Sequence, residues 1–198
     1  MRFVYGKQEM RSLSRSQESC FLLTNGLGGY ASLTAAYSAN RCDQGVLIAA
    51  QKAPGERVTL VHRLRETLTV DGKPYWLSTQ QFADGTQPED GFRNLSFFAF
   101  ENIPHWRYHI GGVRVTRTMA MTYGQNTTAV IYKVENQSND ACSLTVDPFV
   151  KFGPKETAIK AAPNISFSQG KVMGDKYTLH ISTTAALREM PVCSQMLA

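Results

Sequence analysis

The sequence has few cysteines and lacks the segments that mark export or membrane insertion. Its cysteines are scattered, without any C-x-x-C pair, at Cys20, Cys42, Cys142 and Cys193. A chain of 198 residues can bury a core without disulfides, so we expect reduced thiols. No apolar run approaches the ~18 residues that cross a bilayer, and the N-terminus has no uninterrupted apolar segment typical of a secretory signal. We therefore predict a cytoplasmic protein with no membrane partner.

Charge clusters are also missing. The net charge is +5, which raises nucleic acid as a partner, but lysines and arginines are spread along the chain without a block of like charges. A nucleic-acid footprint is concentrated on one face or helix. We therefore expect no nucleic-acid partner.

Long helical patterns are absent, whereas strand and turn signals recur after residue 44. Asp71-Gly72 and Gly111-Gly112 suit two-residue hairpin turns. A third strand pair is predicted around residues 136–140, and a fourth within ISFSQGKVMGDKYTLHIS. Residues 31–39 fit either a helical turn or a small-residue strand. The spacing predicts an all-β fold, a large antiparallel β-sandwich, in one domain over residues 1–198.

The stretch FLLTNGLGGYA contains G-x-G-x-x-A, the letter pattern of a dinucleotide-binding turn. That turn needs a following helix, a parallel strand and an acid at the end of that strand. Asp43 lies before the strand GVLIAA, and Gln51 stands where the acid belongs. Hairpins rather than βαβ units follow. Nucleotide binding is therefore the least supported of the functions considered for this chain. The glycines fit a sharp turn at the end of a sheet better.

The same stretch, followed by GVLIAA, resembles the N-terminal domain of bacterial and archaeal-type glycogen debranching enzymes (amylo-α-1,6-glucosidases). The resemblance covers most of residues 20–152, and T-N-G-x-G-G-[YF]-[AS]-S at residues 24–32 is its most specific element. Two segments depart from the pattern. Many relatives have R-[RK]-Y-H-G where this chain reads RCDQG at residues 41–45, and R-D-x-H where it reads GPKE at residues 153–156.

The resemblance implies a β-supersandwich of the galactose-mutarotase type that precedes an (α/α)6-barrel in the same polypeptide. The barrel carries the carboxylates that hydrolyse α-1,6 branches, so this domain would be non-catalytic and would shape the α-glucan site. The alternative is a stand-alone carbohydrate-binding module without enzyme activity.

The residues themselves predict no catalytic site, metal site or cofactor. Glycoside hydrolysis needs two facing carboxyl groups, and no spacing singles out a pair among Glu66, Asp84, Glu89, Asp90 and Asp147. On a strand, His105 and His109 lie ~13 Å apart, too far to share one zinc ion. Contact candidates for sugar or the barrel come from the glycine turn, a nearby arginine and one strand: Thr24, Asn25, Gly26, Arg41, Trp106 and Tyr108.

Overall fold

The computed structural model describes residues 3–52, 55–82, 87–157 and 164–188. Within these ranges the chain is almost entirely β-structure, with one short α-helix, α1 (Leu13–Glu18), and 3-10 helices at Glu9–Arg11 and Gly91–Arg93. The strands are β1 (Phe3–Gly6), β2 (Leu23–Thr24), β3 (Tyr30–Ser32), β4 (Gly45–Lys52), β5 (Glu56–Val70), β6 (Lys73–Trp76), β7 (Thr79–Gln80), β8 (Glu89–Asp90), β9 (Leu95–Phe100), β10 (Pro104–Ile110), β11 (Val113–Met121), β12 (Thr128–Asn136), β13 (Cys142–Pro154), β14 (Ile165–Ser168), β15 (Lys171–Gly174) and β16 (Thr178–His180).

Two antiparallel sheets face each other across one core. The first has the strand order β1-β9-β10-β11-β12, and the second has the order β13-β5-β4-β3-β2, with β6 also paired to β5. Side chains of β10 and β11 alternate between buried and more exposed positions, as strands with one face on a core do. Smaller sheets are formed by β14-β15-β16 and by β7-β8. The predicted all-β antiparallel sandwich is confirmed.

Three of the four predicted strand pairs form as expected. Val70 pairs with Lys73 across Asp71-Gly72, and Ile110 pairs with Val113 across Gly111-Gly112. All four turn residues have positive φ, between 49° and 78°, as a two-residue hairpin of this kind requires. The fourth predicted pair forms between β14 and β15.

The third predicted pair is wrong. β12 and β13 both exist, but β12 pairs with β11 in the first sheet and β13 pairs with β5 in the second. The polar loop at residues 136–140 therefore crosses from one sheet to the other. Alternation and a polar loop look the same from sequence whether the next strand pairs back or changes sheet.

Residues 31–39 adopt neither of the two expected forms throughout. β3 ends at Ser32, and a turn follows in which the Tyr37 N–H donates to the Thr34 carbonyl at 2.9 Å. Tyr37 has φ 60° and is only 3% exposed. Small residues let this turn enter the core.

Candidate functional site

The glycine-rich stretch closes a tight turn between β2 and β3. These strands pair antiparallel, with Thr24 opposite Tyr30, and the Asn25 N–H donates to the Gly29 carbonyl at 3.1 Å. Gly26 has φ 78°, in the left-handed region that favours glycine. A dinucleotide turn instead leads from a strand through a helix to a parallel strand. The glycines of this stretch therefore shape a turn between two antiparallel strands.

The side chain of Asn25 fixes this turn from inside. Asn25 has no exposed surface. Its Oδ1 accepts hydrogen bonds from the N–H groups of Leu27 and Gly29, each at 2.9 Å. Its Nδ2 donates to the Gln125 carbonyl and to Asn126 Oδ1, each at 3.0 Å. A side-chain amide has two acceptor lone pairs and two N–H donors. All of the hydrogen-bonding groups of Asn25 are therefore paired within the protein.

Asn126 extends the connection to a third segment. Its Oδ1 accepts from the Ala50 N–H and its Nδ2 donates to the Ala50 carbonyl, each at 2.9 Å. The Gly124 N–H donates to the Asn25 carbonyl at 2.7 Å. A Cβ on Gly29 would lie 2.6 Å from Asn25 Nδ2 and 2.7 Å from Asn126 Oδ1. The loop of residues 24–29, the β11–β12 turn and β4 thus form one unit, here called the Asn25 cluster.

The Asn25 cluster presents two apolar side chains to solvent. The Tyr123 ring lies against the backbone of Gly26, where a Cβ would approach it to 2.5 Å. Tyr123 is 85% exposed and Leu27 is 45% exposed. Gly26, Leu27 and Tyr123 are called the apolar face below. Large apolar side chains held outward on a rigid support are typical of an interaction surface.

Tyr30 links the glycine turn to the two segments that depart from the family pattern. Arg57 Nε donates to the Gly28 carbonyl at 2.6 Å, and its guanidinium carbon lies 6.0 Å from the centroid of the Tyr30 ring. The Tyr30 hydroxyl donates to the Asp43 carbonyl at 2.8 Å. Burial raises the pKa of Tyr30, and the charges of Lys155 and Asp43 also act on it. The segments 41–45 and 153–156, far apart in sequence, therefore both influence Tyr30.

Arg41 lies on the exposed side of this region. The buried Gln44 side chain accepts from the N–H groups of Asn40 and Arg41 at 2.9 and 3.2 Å. Gln44 Nε2 also donates to Cys20 Sγ at 3.2 Å. The backbone of this loop is thereby fixed, while Arg41 itself is exposed.

Two basic side chains are buried beneath the same loop. His62 on β5 is 7% exposed and Lys151 on β13 is 8% exposed. Lys151 Nζ donates to the Lys155 carbonyl at 3.3 Å. Burial, followed by the positive charges of Lys151 and Arg63, lowers the pKa of His62 to about 4. His62 is therefore neutral at pH 7, and its imidazole packs as a buried polar group.

Two of the predicted contact residues lie in the core. Trp106 has no exposed surface and Tyr108 is 1% exposed. Trp106 Nε1 donates to the Ala35 carbonyl at 2.9 Å, and Arg117 Nη2 donates to the Tyr108 hydroxyl at 2.5 Å. Neither ring has a free face for a sugar in this domain. The structure thus places Thr24, Asn25 and Gly26 in one turn, puts Arg41 on an exposed loop at the other end of β3, and leaves Trp106 and Tyr108 in the core.

A buried ion pair that the sequence reading missed joins the two sheets behind these rings. Arg117 Nη1 on β11 donates to Glu66 on β5, and both side chains are fully buried. The Tyr132 hydroxyl donates to the other Glu66 oxygen. Burial is the largest influence and lowers the pKa of Arg117, but the Glu66 carboxylate together with Tyr108, Tyr37 and Tyr132 outweighs it, so the pKa is raised. The strand pattern indicates that Arg117 is buried, because Arg117 alternates in step with the core residues Val115 and Met119.

Comparison with known proteins gives the family. A family profile described as the glycogen debranching enzyme N terminal matches residues 20–196. The chain belongs to this family of N-terminal domains of glycogen debranching-type enzymes, and the resemblance carried by residues 24–32 is confirmed. No curated protein and no solved structure matches the chain significantly. None of the helices in the described part of the chain is long and apolar enough to span a membrane.

Proposed function

We propose that this chain is a non-catalytic β-supersandwich domain that packs on an (α/α)6-barrel of the same polypeptide and shapes its α-glucan site. The barrel would hydrolyse α-1,6 branches with its own carboxylates. Membership of the debranching enzyme N-terminal family supports this role. We propose that residues 1–198 form a single domain and that the protein is cytoplasmic, in keeping with its scattered cysteines.

The state of the carboxylates supports a non-catalytic role. Four of the five carboxylates considered as acid or base candidates are engaged in ion pairs within the domain, and Asp84 lies outside the described residues. The pairs are Glu66–Arg117, Glu89–Arg63 at 2.8 Å, Asp147–Arg65 at 2.9 Å and Asp90–Arg93 at 3.2 Å. Glycoside hydrolysis needs two carboxyl groups that face each other across substrate. Carboxylates paired to arginine inside the sandwich, such as Glu66 and Glu89, have no access to a glucan.

The apolar face is the observation that carries the docking part of the proposal. Leu27 and Tyr123 are highly exposed, yet the backbone beneath them is fixed by the Asn25 cluster. A surface fixed before association loses little conformational entropy on binding. Thr24 lies next to this face, Gly26 is part of it, and Arg41 is exposed on a separate loop; these three are the remaining candidates for contact with the barrel or its glucan.

The experiment is an association measurement with a separately expressed (α/α)6-barrel of a debranching-type enzyme. Calorimetry gives the affinity, and release of glucose from a branched maltooligosaccharide gives the activity of the barrel with and without this domain. We expect a complex and a higher rate with the domain present. The double variant Leu27→Ser/Tyr123→Ser should weaken the complex. The matched control, Val4→Ser/Met173→Ser, changes two exposed apolar residues elsewhere and should not.

The alternative of a stand-alone carbohydrate-binding module makes the opposite prediction. Under that alternative, the barrel neither binds the domain nor changes its rate, while glycogen binds the isolated domain with measurable affinity. That pair of results would overturn the proposed docking role.

A further inference from the structure

A second surface feature lies at the β1 edge of the first sheet. β1 is one edge of that sheet and β12 is the other, so β10 and β11 lie between this feature, on β1 and β9, and β12. A groove of about 250 Å³ opens here. Its lining is mostly aromatic with a polar rim: Phe3, Tyr5, Glu18, Ser19, Cys20, Phe21, Phe98 and Phe100.

The aromatic part of the groove is a shelf of four rings on two strands. Phe3 is paired with Phe100 and Tyr5 with Phe98 across β1 and β9, so all four lie on the same face of the sheet. Tyr5 and Phe98 are stacked, with centroids 6.1 Å apart and an interplanar angle of 20°. Phe98 is buried, whereas Phe3, Tyr5 and Phe100 are half-buried. Ring surface is therefore left open toward the groove.

The floor beneath this shelf is rigid. Phe21 is 3% exposed and closes the groove from the second-sheet side. Its ring lies 5.4 Å from Trp106 in an edge-on arrangement and 6.1 Å from Phe100. Because Phe21 and Phe98 both pack on the fully buried Trp106, the shelf is fixed before any ligand arrives.

The rim of the groove is polar. The Tyr5 and Ser19 hydroxyls are 2.9 Å apart and share one hydrogen bond, which leaves each with capacity for another. Glu18 is exposed and makes no hydrogen bond or ion pair with the residues the structure describes. A ligand with an apolar face and a hydroxylated edge satisfies both parts of this lining. An aliphatic side chain would use the ring surface but none of the polar rim.

We propose that this groove binds one pyranose ring of an α-glucan chain. The C–H face of the sugar lies on the Phe3–Tyr5–Phe100 shelf, and its hydroxyls donate to Glu18 and exchange hydrogen bonds with Ser19 and Tyr5. The volume is below the ~300 Å³ at which drug-sized pockets begin, in keeping with a single ring. The choice of α-glucan among sugars rests on the proposed function.

The test is a two-dimensional NMR titration of the full 198-residue chain with maltotriose. Backbone shifts should concentrate at Tyr5, Ser19 and Phe98 and give a dissociation constant in the millimolar range. Loss of one hydrogen bond to a charged group weakens binding about tenfold, so Glu18→Gln should raise the constant by that factor. Phe3→Ala should do the same. Glu101→Gln, an exposed carboxylate outside the groove, and Val4→Ala, on the opposite face of β1, are matched controls and should bind as the wild type does.

Several results would overturn the assignment. Maltotriose could cause no shifts, it could shift other residues, or both groove variants could bind it as tightly as the wild type. Shifts of the groove residues on addition of the barrel domain would make the groove an interdomain contact and would also refute a sugar site. A chain that binds the barrel but not maltotriose loses only the groove proposal. A chain that binds maltotriose but not the barrel loses only the docking role.

Discussion

Replacement of Asn25 by alanine removes the centre of the Asn25 cluster. The amide makes four hydrogen bonds to a loop, a turn and a neighbouring side chain without any exposed surface. Each such bond contributes ~1 kcal/mol, and a buried group left without a partner costs ~1 to 3 kcal/mol. The bond to the Leu27 N–H is only part-buried, so water can replace it in the variant. We therefore expect a loss of about 3 kcal/mol in the free energy of unfolding.

Chemical denaturation at pH 7 measures this loss, and a thermal scan should show a decrease in Tm of ~6 to 12 °C for a domain of this size. Asn25→Asp should destabilise at least as much, since a carboxylate keeps the bonds to the Leu27 and Gly29 N–H groups but faces two acceptors, the Gln125 carbonyl and Asn126 Oδ1. The matched control is Thr24→Ala at the exposed neighbouring position, with an expected change within ~0.5 kcal/mol.

The double variant Asn25→Ala/Asn126→Ala sharpens this test. The two side chains share a hydrogen bond, so the double change should cost less than the sum of the single changes. If Asn25→Ala melted with the wild type but lost affinity for the barrel or for glucan, the residue would be a ligand contact. The structural role derived for it would then be refuted.

Three further changes test other parts of the structure. Gly29→Ala places a Cβ within 2.7 Å of two side-chain atoms, so it should destabilise by ~1 to 3 kcal/mol in urea unfolding; full stability would show that the Asn25 cluster yields easily. Glu66→Gln leaves the Arg117 charge buried without its carboxylate and should cost ~3 to 5 kcal/mol, whereas a loss under 1 kcal/mol would mean that the pair is dispensable. The folded pKa of His62, about 4, is below its unfolded value of 6.5, so the unfolded chain binds the proton first as pH falls. Its contribution, complete above pH 6.5, is lost toward pH 4, a loss of ~3 kcal/mol at 1.36 kcal/mol per pH unit. His62→Gln should flatten the dependence of unfolding free energy on pH in that window. An unchanged dependence would refute the lowered pKa of His62.

Local patterns predicted the strands and turns well, since hairpins depend on nearby residues. Asp71-Gly72 and Gly111-Gly112 each adopt the positive φ that their turns require. The pairing of β12 and β13 with different sheets could not be predicted in the same way, because it depends on which distant strand is available.

The candidate site was predictable in part. The turn at residues 24–29 and the exposure of Thr24 and Arg41 follow from turn chemistry and polarity. The hydrogen bond between Asn25 and Asn126 could not be predicted, because the two residues are 101 positions apart. The sequence around Asn126 indicates only another turn. Trp106 and Tyr108 share a strand face, and alternation alone does not say whether that face meets a core or a ligand.

The central claim is that the rigid turn of residues 24–29 holds a docking surface. The most direct test is the affinity of the separately expressed barrel for this domain. Burial of a Leu and a Tyr side chain contributes ~3 kcal/mol, so Leu27→Ser/Tyr123→Ser should weaken the complex about a hundredfold. The control Val4→Ser/Met173→Ser should leave the affinity unchanged. Equal affinities for the wild type and the Leu27/Tyr123 variant, both folded, would contradict the account.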